Sequence, residues 1–189
     1  LLVSSAASDV YKRQFQLEAM GALNQGHSVV VSAPTGSGKT LIGEYAIHRA
    51  LAHGQKVFYT TPLKALSNQK LRDFRDQFGA DNVGLMTGDL SVNREASIVV
   101  MTTEIFRNML YAEADEHDDP LADVEAVVLD ECHYMNDSQR GTVWEESIIH
   151  CPPTVQLLAL SATVANAGQL TDWIEKVHGP TTLVMSDHR

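Results

Sequence analysis

The sequence predicts an α/β domain in which helices cover both faces of a mostly parallel sheet. Short apolar runs alternate with longer segments of helical spacing, and this alternation is typical of βαβ units. The apolar runs show no polar alternation, as expected of strands buried on both faces. The 189 residues are enough for one sizeable domain and too few for two. We therefore expect one domain, without repeats or internal linkers.

In the first half of the chain, glycines mark the ends of the predicted helices. The first helix is predicted over residues 15–25, where apolar residues share one face and Gly26 follows. The next elements are predicted in this order: a strand at 28–33, a helix at 39–53, a strand at 56–60, a helix at 63–78, and strands at 83–86 and 97–101.

The second half continues the alternation of helices and strands. Residues 103–111 have helical spacing, whereas residues 113–119 are acidic without periodicity and are predicted to form an exposed loop. The remaining elements are predicted as a strand at 125–130, a helix at 138–150 that two prolines terminate, a strand at 156–161, a helix at 166–177 and a strand at 181–185.

Composition excludes some classes of protein. The formal net charge of -10 argues against a nonspecific polyelectrolyte binder, which would normally show a basic face. It leaves nucleic acid open, because main-chain N–H groups, hydroxyls and a few cations can bind phosphates. No apolar run approaches the roughly 18 residues of a membrane span, so we expect no membrane insertion. Cys132 and Cys151 are too few for a disulfide framework, which favours the reducing cytoplasm and no disulfides.

The two ends of the chain suggest non-native or missing sequence. Residues 1–7 lack the features of a signal peptide, and residues 9–14, DVYKRQ, resemble a reading frame of a transposon end used in sequencing libraries. We therefore expect residues 1–14 to be an artefact and residues 15–189 to be the native domain. No closing feature precedes Arg189, so we expect the native protein to continue.

A phosphate-binding loop is predicted between the first strand and the second helix. Residues 33–40 read APTGSGKT, in the strand-to-helix context that such a loop requires. Gly36 and Gly38 let backbone N–H groups point at a β-phosphate, helped by the helix N-terminus. Lys39 would reach the β- and γ-phosphates, and Thr40 would bind Mg²⁺. The alternative is an ordinary Gly/Ser turn. The candidate nucleotide-binding residues here are Thr35, Gly36, Ser37, Gly38, Lys39 and Thr40.

Two adjacent acids follow the strand predicted at residues 125–130. Asp130 and Glu131 are costly at the end of a buried strand unless they meet a cation. Beside a phosphate-binding loop, Asp130 would hold the Mg²⁺ shell, partly through water, and Glu131 would deprotonate the attacking water. Together with Lys39, they are the candidate catalytic residues. The alternative is an exposed turn at the strand end.

The order of the motifs resembles the superfamily 2 helicases, and in detail the Ski-type DExH-box RNA helicases. The resemblance covers nearly everything from Phe15 onward. Its matching segments are APTGSGKT at 33–40, TPLKALSNQK at 61–70, GLMTGD at 84–89, MTTEI at 101–105, DECHYM at 130–135, RGTVWEE at 140–146 and SAT at 161–163.

The resemblance implies a RecA-like P-loop NTPase domain, with ATP and Mg²⁺ as cofactors and single-stranded RNA as partner, DNA being possible. It implies three further groups of site residues. Adenine contacts fall to Phe15 and Gln16. Contacts to the nucleic-acid backbone fall to Pro62, Lys64, Gly88, Thr103 and Glu104. His133, Ser161 and Thr163 match the residues that couple the nucleotide state to binding of the nucleic-acid strand.

Several of these residues have ordinary alternatives. Lys64 is also consistent with a plain surface lysine, and His133 by itself would more often be a packed or solvated histidine. Small polar residues after a strand, such as those at 161–163, are usually caps. Only the order of the motifs raises them to functional candidates.

For function, the leading hypothesis is the motor domain of an ATP-dependent RNA helicase. The alternatives are a nucleotide-dependent RNA clamp that does not unwind and a DNA helicase of the same superfamily, whereas a small-molecule kinase is disfavoured. The family's second RecA-like domain supplies arginines to the γ-phosphate, and nothing after Thr163 fits their pattern. We therefore expect this chain to bind ATP·Mg²⁺ weakly and to hydrolyse it hardly at all.

Overall fold

The computed structural model describes residues 2–112, 119–136 and 141–187, with side chains from residue 13 onward except those of residues 135, 136 and 141. Most of the predicted acidic loop at 113–119 lies outside the described residues. The same holds for the first three residues of the helix predicted at 138–150.

Within the described residues the chain forms six α-helices and eight β-strands. The helices are α1 (Leu2–Asn24), α2 (Lys39–Ala52), α3 (Lys64–Phe78), α4 (Thr103–Tyr111), α5 (Gly141–His150) and α6 (Ala167–Val177). The strands are β1 (Ser28–Ser32), β2 (Lys56–Thr61), β3 (Val83–Met86), β4 (Ser91–Val92), β5 (Ile98–Thr102), β6 (Val124–Leu129), β7 (Gln156–Ser161) and β8 (Thr181–Met185). Two short 3₁₀ helices span Ala80–Asn82 and Cys132–Asn136.

All eight strands join one sheet, in the order β4-β3-β5-β2-β6-β7-β1-β8. Every neighbouring pair is parallel except β3 and β4, which pair antiparallel at one edge. The register places Val29 of β1 between Leu158 of β7 and Thr182 of β8. The predicted mostly parallel sheet is confirmed, and the carboxyl ends of its parallel strands share one edge.

Two apolar cores lie on the two faces of the sheet. Alternate residues of one strand enter different cores, since Val29 and Val31 pack with α1, α2 and α3, whereas Val30 packs with α4, α5 and α6. The burial of all five β1 residues shows why its apolar run has no polar alternation. The predicted covering of both faces is therefore confirmed.

The largest departure from the predicted elements is the start of the first helix. The sequence predicts this start at Phe15, whereas α1 begins at Leu2 and continues to Asn24 without a break. Residues 2–14 contain neither Gly nor Pro, so nothing in them ends a helix. Their origin as an artefact stays a prediction. Strand β4 is absent from the predicted elements because two residues carry no periodic signal.

The other predicted elements agree with the structure to within about three residues at their ends. Both cysteines are buried and free of disulfide bonds. No helix in the described part of the chain is long and apolar enough to cross a lipid bilayer.

The close approach of β3 and the segment after β4 gives a prediction at Gly84. A Cβ on Gly84 would lie 2.1 Å from the backbone oxygen of Asn93 and 2.8 Å from that of Val92. Because backbone cannot move aside cheaply, we expect Gly84→Ala to lower the free energy of unfolding by about 1–3 kcal/mol. Urea denaturation of the chain measures this.

Gly21 of α1 is the matched control, because a Cβ there would have no atom within 4 Å. Gly21→Ala should stabilise the chain by about 0.5–1 kcal/mol, since alanine favours helix over glycine. Equal effects of the two substitutions would contradict the close approach.

Candidate functional site

The loop between β1 and α2 curls through two left-handed glycines. Gly36 has φ 80° and Gly38 has φ 94°, a region that disfavours residues with a Cβ. Gly38 is also the N-cap of α2, and it offers no side-chain hydrogen bond to the first turn. The first N–H groups of α2 therefore have no side-chain partner and suit an anion.

Two side chains of this segment, Ser37 and Lys39, have donor groups that suit a ligand bound in the loop. The hydroxyl of Ser37 is buried and makes no hydrogen bond to a described residue. The Lys39 ammonium donates to the carbonyl of Ala33 at 2.5 Å and to that of Pro34 at 3.1 Å. Burial lowers the pKa of Lys39, while the negative charges of Glu131 and Asp130 act in the opposite direction. The loop thus holds a partly desolvated cation beside two acids.

Asp130, directly after β6, is held by groups on both carboxylate oxygens. The Tyr59 hydroxyl donates to its Oδ2 at 2.6 Å, and the backbone N–H of Glu131 donates to its Oδ1 at 2.8 Å. The ammonium of Lys70 lies 3.9 Å from the same Oδ2. Burial and then the charge of Asp130 raise the pKa of Tyr59 well above its usual range, so its hydroxyl stays a donor.

Glu131 turns the chain sharply and contacts His133. Its φ of 53° is in the left-handed region, which is uncommon for a residue with a side chain. The Glu131 Oε2 lies 3.1 Å from His133 Nε2, and His133 Nδ1 accepts a hydrogen bond from the Ala162 N–H at 3.2 Å. Because Nδ1 is an acceptor, the neutral ring carries its hydrogen on Nε2, and this N–H donates a hydrogen bond to Glu131.

The four residues predicted to converge do lie around one cavity. Lys39, Thr40, Asp130 and Glu131 line an open cavity of about 420 Å³. The other lining residues come from the glycine-rich loop and from α3, namely Thr35, Gly36, Gly38, Leu66, Gln69 and Lys70. Side chains from β1–α2, α3 and the end of β6 therefore face the same space.

The residues around the cavity fit a phosphate-bound Mg²⁺. Thr40 supplies an exposed hydroxyl and Asp130 a carboxylate, both on the same cavity. Among the described residues no group of three or more His, Cys, Asp or Glu side chains could hold a metal ion. Mg²⁺ does not need such a cage, because it commonly binds one or two protein oxygens, phosphates and water.

The predicted adenine pair separates into two different environments. Gln16 lies at the loop, where its Nε2 donates to the Gly38 carbonyl at 3.1 Å. Phe15 is only 3% exposed and packs in the core with α2 and β1. The adenine contact of Phe15 stays a prediction; its ring packs in the core and helps to position α1, and Gln16 is the more accessible member of the pair.

Three of the five residues predicted to contact nucleic acid share a second cavity. Pro62, Thr103 and Glu104 line a space of about 390 Å³ that also has Asp130 and Cys132 in its wall. Thr103 is 9% exposed, and its hydroxyl donates to the Thr61 carbonyl at 3.2 Å, so it joins the ends of β5 and β2.

The other two residues of that group are neighbours at the surface. Lys64 opens α3 and forms an ion pair with Asp89, next to the exposed Gly88. The hydrogen bond from Lys64 is the main reason that the pKa of Asp89 is lowered. Lys64 is therefore paired at the surface, where its side chain is 52% exposed, and the alternative of a plain surface lysine stays open.

The residues at the end of β7 lie beside His133 and the phosphate-binding loop. The Ser161 hydroxyl is buried and donates to the Ala162 carbonyl at 2.7 Å. Thr163 is exposed and lines a small cavity together with Thr35 of the loop. Burial raises the pKa of Cys132, next to Glu131, to about 12, so this thiol is no nucleophile.

Three site residues are missing from the sequence prediction: Tyr59, Lys70 and Gly43. Tyr59 and Lys70 contact Asp130, and a Cβ on Gly43 would lie 3.2 Å from the Tyr59 ring. A polar aromatic in an otherwise buried strand is the one local signal that could have indicated Tyr59.

A family model described as DEAD/DEAH box helicase matches residues 13–170. The chloroplastic DExH-box ATP-dependent RNA helicase DExH15 of Arabidopsis thaliana is 58% identical over 178 residues, which are 93% of this chain and 15% of that protein. The antiviral helicase SKI2 of Saccharomyces cerevisiae is 49% identical over 172 residues, which are 91% of this chain and 13% of that protein. The chain thus spans less than a fifth of the length of these relatives.

Among solved structures, the Mycobacterium smegmatis helicase Lhr bound to ssDNA and AMP-PNP has a similar fold. Its TM-score is 0.72 at 28% sequence identity, and the match covers 91% of this chain and 25% of that one. The similarity of this chain to the Lhr structure supports the RecA-like architecture of its sheet.

The bond between Tyr59 and Asp130 gives a prediction about stability. Tyr59→Phe keeps the ring but leaves a partly buried carboxylate oxygen without its donor. We expect it to lower the free energy of unfolding by about 1–2 kcal/mol, measured by urea denaturation. Tyr45→Phe is the control, because the Tyr45 hydroxyl bonds to Asn24 at an exposed position and should matter by less than about 0.5 kcal/mol. Similar small losses in both variants would show that Asp130 does not depend on Tyr59.

Proposed function

Because this chain belongs to the DEAD/DEAH box helicase family, we propose that it is the ATP-binding motor domain of an ATP-dependent RNA helicase. The observation that carries the proposal is the convergence of Lys39, Thr40, Asp130 and Glu131 on one cavity. In the whole protein, ATP hydrolysis would be coupled to translocation along a single strand and to unwinding. The cytoplasmic location stays a prediction.

The loop residues would bind the triphosphate. Backbone N–H groups at the start of α2 and the left-handed turns at Gly36 and Gly38 suit phosphate oxygens. Lys39 would exchange its two carbonyl acceptors for phosphate oxygens. The Ser37 hydroxyl, which has no partner among the described residues, could donate a hydrogen bond to a phosphate oxygen. A magnesium ion held by Thr40 and Asp130 would neutralise charge on the phosphates.

Glu131 is the proposed general base for the attacking water. Its carboxylate is part-exposed at the cavity and accepts a hydrogen bond from the Nε2–H of His133, which fixes its direction. His133 is in turn held by the backbone of Ala162 after β7. A movement of the 161–163 segment would therefore reach Glu131 through a single histidine, which supports the proposed coupling role of His133, Ser161 and Thr163.

A nucleic-acid strand is proposed to lie over the ends of β2, β3 and β5. Pro62, Thr103 and Glu104 lie together there, and the pair of Lys64 with Asp89 places a cation beside Gly88. Backbone N–H groups and hydroxyls are suited to phosphates even though the chain is acidic overall. We propose RNA because DExH15 is named an RNA helicase.

DNA is the second candidate, because the Lhr structure is named for a complex with ssDNA. The ATPase rate of the whole protein with equal concentrations of RNA and DNA separates the two, since backbone contacts that sense the 2′-hydroxyl would favour RNA. Greater stimulation of the ATPase rate by DNA than by RNA would favour a DNA helicase over an RNA helicase.

The nucleotide site is tested by Lys39→Ala. Removing the ammonium should weaken ATP·Mg²⁺ binding at least about tenfold, because charge-assisted bonds to phosphate are lost. Titration with a fluorescent ATP analogue measures this in the 189-residue chain. Lys176→Ala, at an exposed position in the last turn of α6, is the control and should bind like the parent chain. Unchanged ATP binding in Lys39→Ala would contradict the proposed nucleotide site.

The role of Glu131 is tested by Glu131→Gln in the whole protein. The amide keeps the size of the side chain but cannot accept a proton, so ATP should stay bound while turnover falls by about 10²-fold or more. Nucleotide titration and phosphate release measure the two separately. Normal turnover would exclude Glu131 as the base.

A further inference from the structure

Lys70 is a cation in the cavity that the phosphate-binding loop does not supply. It lies on α3, lines the same cavity as Lys39, and its side chain is only 19% exposed. Its ammonium lies 5.5 Å from the centre of the Tyr59 ring and 5.8 Å from that of Phe74. It makes no hydrogen bond to any described residue.

Among the described residues, the anion that forms an ion pair with this ammonium is Asp130, and it accepts no hydrogen bond from Lys70. Asp130 Oδ2 is 3.9 Å away, which is beyond hydrogen-bond distance, and it already accepts the hydroxyl of Tyr59. The two aromatic rings offer attraction without accepting hydrogen bonds from the ammonium in the way an oxygen does. An anionic ligand would supply the acceptor oxygens that the two rings and Asp130 do not provide to this part-buried side chain.

The position of Lys70 indicates which anion it would meet. It lies beside Asp130, the proposed Mg²⁺ residue, whereas Gln16 bonds to Gly38 on the loop side of the cavity. A metal ion bridges the outer phosphates of a nucleoside triphosphate. A cation adjacent to the metal residue is therefore placed for the terminal phosphate, with Lys39 reaching the same phosphate from the loop.

We propose that Lys70 is a second phosphate-binding residue, which binds the terminal phosphate of a nucleoside triphosphate and distinguishes it from a diphosphate. This inference rests on the proposed nucleotide site and adds a specificity determinant to it. It would make α3, whose first turn carries Lys64, a direct sensor of the terminal phosphate.

The test compares a non-hydrolysable ATP analogue with ADP, each titrated calorimetrically into the 189-residue chain. Lys70→Met keeps an apolar side chain over Tyr59 and Phe74 but removes the charge, and Lys70→Arg keeps the charge. We expect Lys70→Met to bind the triphosphate about tenfold more weakly and ADP within about twofold of the parent chain. Lys70→Arg should keep most of the preference for triphosphate. If Lys70→Met fails to fold, as judged by circular dichroism, Lys70→Gln replaces it.

Repeating both titrations in EDTA separates phosphate binding from the positioning of Asp130. A triphosphate-specific loss that persists without Mg²⁺ supports direct contact, whereas a loss seen only with Mg²⁺ would overturn it. Equal losses for the two nucleotides, or no loss, would also overturn it.

Lys39→Ala is the reference for the site as a whole. If the parent chain binds both nucleotides and Lys39→Ala loses both while Lys70→Met is unchanged, this inference fails and the proposed nucleotide site stands. If the parent chain binds neither nucleotide, both fail.

Discussion

The site depends on one constraint, the parallel direction of β6, β7 and β1 in adjacent positions of the sheet. Parallel strands end at the same edge, so the segments that follow them meet there although they are far apart in the chain. The phosphate-binding loop follows β1, the acidic pair follows β6, and residues 161–163 follow β7. An antiparallel strand at any of these positions would move one motif to the opposite edge. The apolar runs that bury each strand on both faces therefore also determine where the chemistry lies.

Placing several polar groups at this edge costs desolvation free energy, and hydrogen bonds between these groups offset part of that cost. Asp130 accepts hydrogen bonds on both oxygens, and His133 joins Glu131 to the backbone after β7. Such connected networks hold each member in one orientation, which a catalytic site requires. Ser37 of the loop has a buried hydroxyl, and Lys70 of the cavity has an ammonium, for which the described residues supply no hydrogen-bond acceptor. Unused donors of this kind are what a phosphate ligand would satisfy.

The two cavities meet at Asp130, which lies in the wall of both. One is lined by the phosphate-binding loop and the other by residues at the ends of β2 and β5. Helix α3 lines the first cavity with Lys70, and Lys64 in its first turn, nearly two turns earlier, follows Pro62 of the second cavity closely in the chain. A nucleotide and a strand of nucleic acid would therefore be separated by a few packed side chains within one rigid sheet-and-helix framework. Short, contiguous connections of this kind suit energetic coupling between two ligands.

The sequence by itself determined the alternation of elements, the double covering of the sheet and the identity of the loop and acid motifs. These features are local, because apolar runs, left-handed glycines and strand-end acids are readable within a few residues. Only the tertiary structure decided that Phe15 is a core residue, that α1 begins at Leu2, that Tyr59 donates to Asp130 and that Lys70 lies beside it. Each of these except the start of α1 depends on partners distant in sequence. The start of α1 follows from residues 2–14 themselves, which contain neither Gly nor Pro to end a helix.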